Sequence, residues 1–329
     1  MAAVSWAGRI AEPGRWITAL LAVLLLPMLV TGNYWLQLLV NAETLAIAVA
    51  GLSVTFGLSG QVSLGQAGFY AIGGYGTALL VTRLGTDLLV AILAGTILAG
   101  IVGLALGVPA LRLRGHYLAL ATLGFGQVVV LLLVNWQSLT GGALGVRGVD
   151  GDFVSGLRLR QVESWATLIG VVLVVVVFLV AQLRRSSFGR AMQAVRDSET
   201  AAECMGISAA RMKVLAFVIG ALTAGLAGAF NAVFITYVSP GTYTLTLSVS
   251  MLAMVVVGGA TSPWGAVLGA VVLTFLPEVL RPIQDYYLLV YGALLLLMVV
   301  AAPGGLLALA GALRDLTAAR LRRSREVTP

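Results

Sequence analysis

The sequence predicts an all-α polytopic membrane protein of about ten transmembrane helices. Three observations carry this prediction. Hydrophobic residues make up 60% of the 329 positions and charged residues only 10%, against roughly 25% charged in a soluble domain. The mean hydropathy of +1.02 comes from repeated apolar runs of about 16 to 23 residues, the length a helix needs to cross a hydrocarbon core. The 20 Lys and Arg residues, which against 13 Asp and Glu give the net charge of +7, fall in the segments between and flanking those runs. The basic residues therefore report topology rather than a nucleic-acid partner.

The apolar runs are 16–32, 35–56, 67–82, 88–108, 117–134, 165–182, 214–236, 246–260, 264–280 and 286–302. The first follows Arg9 and Arg15, as the opening of a signal peptide would. The next residues, Thr31-Gly32-Asn33-Tyr34-Trp35, lack a small-x-small cleavage site and lead into another apolar run, so the run reads as a retained first helix. With the N-terminus placed in the cytoplasm, 15 basic residues fall inside and five outside, the five being Arg83, Arg147, Arg158, Arg160 and Arg281. That bias predicts an even number of spans and cytoplasmic termini.

One transmembrane domain thus occupies 1–329, with a basic cytoplasmic tail at 304–329 that holds Arg314, Arg320, Arg322, Arg323 and Arg325. Two long hydrophilic segments interrupt it, 135–164 outside and 183–213 inside. At two places a span breaks into a glycine-rich turn before a new span begins. These are Gly57-Leu58-Ser59-Gly60-Gln61-Val62-Ser63-Leu64-Gly65-Gln66 and Gly258-Gly259-Ala260-Thr261-Ser262-Pro263-Trp264-Gly265, about 200 residues apart at corresponding inward ends. Irregular backbone is not tolerated against lipid, so such turns must be buried in protein or line a water-filled path.

Several chemistries are excluded. A phosphate-cradling loop would end in Gly-Lys-Ser or Gly-Lys-Thr, but the only lysine is Lys213, after Met212. ATP hydrolysis is expected on a separate chain. One His, His116, and one Cys, Cys204, give neither a metal site nor an intramolecular disulfide. No cofactor is expected. Gly57-Leu58-Ser59-Gly60 spells the Gly-x-Ser-Gly of an intramembrane serine protease, with His116 as a base. The residues after His116 lack the small-residue spacing that such a catalytic helix uses for close packing, and this is a remote alternative.

Within the inside segment, Ser186 to Gly206 favours one or two short helices that end on a cap glycine, with Ser208 placed to cap the next helix. Here the chain resembles the permease subunits of ATP-binding-cassette importers for branched-chain amino acids, specifically the larger of their two permeases. The resemblance runs from about Leu45 to Pro303. It rests on Gly57 to Ala67, Leu111-Arg112-Leu113-Arg114-Gly115-His116-Tyr117-Leu118-Ala119, Thr122-Leu123-Gly124-Phe125-Gly126 and Thr140-Gly141-Gly142. Gly189 to Gly206, Ala224-Gly225-Leu226-Ala227-Gly228, Gly258-Gly259 and Gly265 follow in order.

The resemblance implies a coupling helix from Arg190 to Gly206 that docks on a partner ATPase, with Arg190, Arg196, Asp197, Glu199, Ala201, Ala202 and Gly206 as its working residues. Such permeases carry Glu-Ala-Ala-x-x-x-Gly there. This chain matches at Ala201, Ala202 and Gly206 but has Thr200 at the Glu position, beside Glu199. The implied partners are a second permease subunit, two cytoplasmic ATP-binding subunits and an extracytoplasmic binding protein in a bacterial inner membrane. Sugars or urea and short amides are the alternative substrates within the same superfamily. A zwitterion crossing lipid must be given hydrogen bonds, and the candidates to supply them are Asn41, Glu43, Ser59, Gln61, Ser63, Gln66 and Thr122. Ala216, Gly220, Ala224 and Gly228, each four apart, form a close-packing face that suits a dimer interface.

Overall fold

A computed structural model of the chain describes residues 32–110, 116–150 and 161–281, together with residue 153 and scattered positions between 16 and 27 and between 290 and 306. These residues are almost wholly helical. The helices are α1 (Asn33–Leu52), α2 (Gln66–Leu84), α3 (Leu88–Ala110), α4 (His116–Asn135), α5 (Val162–Arg185), α6 (Ser187–Asp197), α7 (Glu199–Cys204), α8 (Ala209–Ile235), α9 (Leu245–Gly258) and α10 (Pro263–Val279). A two-residue antiparallel ribbon, β1 (Val146–Arg147) with β2 (Tyr237–Val238), lies beyond the C-terminal end of α8.

Six stretches among the described residues are long and apolar enough to cross a bilayer: Asn33–Leu58, Leu88–Pro109, Tyr117–Asn135, Val162–Arg185, Ala209–Ile235 and Pro240–Gly258. α10 is apolar but shorter. α2 is 19 residues long but diluted by Gly68, Gly73, Gly74 and Gly76. The expected span 286–302, much of 16–32, nearly all of the tail 304–329, and Arg112 and Arg114 lie outside the described residues.

α1 sits at the centre, with 89% of its most apolar window buried, whereas α4 is the most peripheral, with 17%. α5, α8, α9 and α10 pack around α1, and α2, α3 and α8 pack against one another. Between apolar helices in lipid, close backbone approach and polar contacts supply the attraction that water supplies elsewhere. A Cβ on Gly73 would overlap the Gly225 carbonyl, and one on Gly228 would overlap that of Tyr70. Thr55 Oγ1 donates to the Ala216 carbonyl at 3.1 Å, tying α1's continuation to α8.

The Ala216, Gly220, Ala224 and Gly228 face is therefore spent inside the chain: all four are buried. The dimer interface that its spacing suggested is corrected to an internal seam, because α2 and the continuation of α1 occupy it. Helix ends follow local chemistry. Glu163 opens α5 while Arg184 and Arg185 close it, matching the helix dipole, and Ser186, Ser198 and Ser208 each cap a following helix through their hydroxyls.

Candidate functional site

α1 does not stop at Leu52 but widens into a π-helical turn, Ser53–Leu58. Such turns leave backbone groups off the regular ladder and recur at functional positions. Ser59 N–H donates to the Val54 carbonyl at 3.1 Å, Gly60 N–H to that of Phe56 at 3.2 Å and Gln61 N–H to that of Thr55 at 2.9 Å. Gly60 has φ +71°, a left-handed conformation that a side chain disfavours. Residues 61–65 are non-helical, and α2 starts at Gln66.

This broken turn is held by hydrogen bonds to three other helices and within itself. Leu64 N–H donates to Thr122 Oγ1 of α4 at 3.0 Å, and Thr122 donates to the Ala119 carbonyl at 2.9 Å. Ala67 N–H donates to Ser248 Oγ of α9 at 2.9 Å, and Gln66 Nε2 to the Gly220 carbonyl of α8 at 2.9 Å. Ser59 Oγ donates to the Thr55 carbonyl at 2.7 Å. Ser63 is 1% exposed, and its hydroxyl has no hydrogen-bond partner among the described residues. A buried hydroxyl without a partner costs free energy unless something transient meets it.

The second turn spans residues 259–262, with Gly259 at φ +112° and the Ser262 N–H donating to the Gly259 carbonyl at 3.2 Å. The two turns touch. A Cβ on Gly57 would fall under 3.0 Å from the Ala260 carbonyl. Beside the first turn, Leu64, Ala67, Gln127, Tyr243, Thr244 and Ser248 line a narrow cleft between α2, α4 and α9. Gln127 and Thr244 stand on its exposed rim.

The structure thus brings Ser59, Gln61, Ser63, Gln66 and Thr122 to one place and leaves Asn41 and Glu43 elsewhere. Glu43 precedes Ser59 by 16 residues, roughly 24 Å of helix. It is 5% exposed and lies against Gly170 of α5, with Oε2 unpartnered among the described residues. Asn41 is exposed on α1. Ser248, which sequence reasoning missed, is the buried one of three hydroxyl residues, with Thr246 and Ser250, on an apolar helix. Its only sequence signal is a polar residue within the run 246–260.

The segment 183–213 folds as α6 and α7, a bracket between α5 and α8. Arg190 Nη1 returns to the Arg185 carbonyl at 2.8 Å. Glu199 pairs with Lys213, so it is engaged within the chain. Ala202 is 3% exposed and packs with Val195 and Ala209 in a small core of its own. Asp197, Thr200, Ala201, Glu203 and Met205 are exposed, Met205 at 81%. Ala201 and Met205 thus stand open, whereas the Ala202 methyl turns inward because α7 docks on α8.

Arg196 crosses the gap between bracket and turn. Its guanidinium donates to the Gly57 carbonyl, and its Cγ lies 3.0 Å from where a Gly60 Cβ would stand. Gly206, at φ +80° with open space around it, closes α7. Gly206→Val should strain this turn by roughly 1–2 kcal/mol without a clash. Faster backbone hydrogen exchange confined to 198–208 would register it, and unchanged exchange would show that the glycine conformation is unnecessary.

Long apolar helices around a buried, irregular polar turn, with a hydrophilic bracket fastened to that turn, define a polytopic helical membrane protein. The chain belongs to the branched-chain amino acid transport system / permease component family, which matches residues 34–299. It is 38% identical over 280 residues to the high-affinity branched-chain amino acid transport system permease protein LivM of Escherichia coli, covering 78% of this chain. The chain spans 66% of that relative's length. It is 27% identical over 300 residues to LivH of the same organism, covering 83% of this chain and 96% of LivH. A third relative, the autoinducer 2 import system permease protein LsrC of Escherichia coli, is 26% identical over 292 residues, 82% of this chain and 80% of that one. No solved structure matches the chain.

Proposed function

We propose that this chain is the translocating permease subunit of an ATP-driven importer that carries branched-chain amino acids across a bacterial inner membrane. One domain of about ten helices, 1–329, has both termini and the tail 304–329 in the cytoplasm, the even count required by the basic asymmetry. It works beside a second permease, two cytoplasmic ATP-binding subunits and an extracytoplasmic binding protein. The chain performs no bond chemistry; ATP is hydrolysed by the partners.

The single observation that carries this reading is the contact of Arg196 with the Gly57 carbonyl. It joins the segment 183–213, the docking surface for an ATPase, to the broken turn on the solute path. A zwitterion leaving water loses hydrogen bonds to both charged ends, and broken helices meet it with backbone dipoles and hydroxyls near the membrane interior. Ser63, Gln61, Thr122 and Ser248 are placed to do so, with Ser59 and Gln66 shaping the turn. Ala201, Asp197 and Met205 face the ATPase, while Arg196 transmits its movement.

Co-expression with the partner subunits tests the reading. Leucine, isoleucine and valine uptake into vesicles should require this chain, both ATPase copies and the binding protein, and the purified chain should hydrolyse no ATP. Uptake of ribose or urea in place of leucine would redirect the substrate. ATP hydrolysis by the chain free of partners would overturn the subunit assignment. Single-cysteine labelling in a Cys204-replaced background should leave position 193 closed and position 150 open to an impermeant reagent in intact cells; the reverse pattern would invert the topology.

A further inference from the structure

A cavity of about 440 Å³ opens where α5 ends and α6 begins, sharing no lining residue with the cleft beside the first turn. Trp16, Ala181, Arg184, Arg185, Gln193 and the first turn of α10, Ser262 to Trp264, line it. Two arginines and an amide face it, and Arg185 also has a partner within the chain. Trp16 and Trp264 pack beside it with ring centroids 5.4 Å apart and planes tilted by 36°, and Phe178 meets Trp16 edge-on at 5.0 Å. Below Trp16, toward the membrane interior, a wholly apolar groove continues along Leu20, Val174, Val175 and Phe178.

The geometry points to a binding site for the phosphate headgroup of an anionic phospholipid, its acyl chain laid along that groove. A guanidinium holds a phosphate through paired hydrogen bonds, and basic pockets between transmembrane helices on the cytoplasmic side select anionic headgroups. Tryptophans at this depth place the pocket at headgroup level. A free anion would use the arginines alone; the apolar groove that leaves the cavity has a role only when a hydrocarbon chain is attached. The placement in the inner leaflet rests on the topology proposed above, but binding in detergent does not. Failure to bind lipid leaves the transport reading standing, and failure of the labelling experiment leaves the binding result standing.

Native mass spectrometry of the full-length chain in detergent, titrated with phosphatidylglycerol, phosphatidylcholine of the same acyl chains, or inorganic phosphate, tests the site. Phosphatidylglycerol should bind more tightly than phosphatidylcholine by about thirtyfold, the factor expected of two arginines near a charged headgroup. The paired substitution Arg184→Gln with Arg185→Gln should erase this preference, whereas Arg184→Lys with Arg185→Lys should keep most of it. Arg83→Gln with Arg281→Gln, at the opposite end of the bundle, should change nothing, and thermal unfolding of each variant checks that it is folded. Equal binding of the two lipids, or equal loss with the opposite pair, would overturn the site. Inorganic phosphate competing as well as the lipid would overturn the lipid assignment in favour of a soluble anion.

Discussion

Gly57→Ala is expected to abolish uptake. The added methyl would overlap the Ala260 carbonyl, a backbone atom that cannot rotate away, so the two glycine-rich turns must part. Overfilled cores lose about 1–3 kcal/mol, occasionally more, and this contact lies at the residue whose carbonyl Arg196 of the bracket holds. Gly124→Ala is the matched control, since a Cβ there meets nothing within 4 Å and alanine improves helix propensity. Membrane abundance, thermal unfolding and uptake would be compared for both. Wild-type uptake by Gly57→Ala would show that the turns need not touch.

Arg196→Ala should separate ATPase binding from transport. The guanidinium donates to the Gly57 carbonyl, away from the exposed Ala201 and Met205 that, with Asp197, form the proposed ATPase-facing surface. A charged hydrogen bond is worth about 1.5–3 kcal/mol, and partial exposure places this one at the low end, so coupling should fall roughly tenfold. Copurification with the ATPase should persist, ATP hydrolysis should lose its dependence on loaded binding protein, and Arg196→Lys should recover part of the uptake. Loss of copurification in parallel with uptake would make Arg196 a docking residue instead. Uptake unchanged from wild type would remove it from the mechanism.

Much of the fold could be read from the chain because lipid imposes a length and a polarity on each span. The runs 88–108, 117–134 and 165–182 fall within helices Leu88–Ala110, His116–Asn135 and Val162–Arg185. Apolar runs do not say which helix faces lipid: α1 and α4 have similar composition, yet one is enclosed and the other peripheral. Spacing also does not reveal which partner a small-residue face meets, so the stripe on α8 suggested a second subunit while α2 occupies it. In the site, the first turn was marked by its glycines and polar residues. Ser248, the inward methyl of Ala202 and the reach of Arg196 to residue 57 depend on packing across as many as 181 positions, which no local pattern encodes.

The enclosure of α1 has a consequence for how the protein is made. α1 enters the membrane early, yet α5 and α8, which cover it, begin 129 and 176 residues after α1's first residue, at Val162 and Ala209. Synthesis at about 5–20 residues per second leaves it for several seconds with Glu43 and the bare backbone of Gly51 turned toward lipid or toward an insertion chaperone. A chain cut short before α8 is therefore not a smaller stable permease. It is an exposed acid and an open glycine seam, the features by which membrane quality-control proteases would single out an unfinished copy.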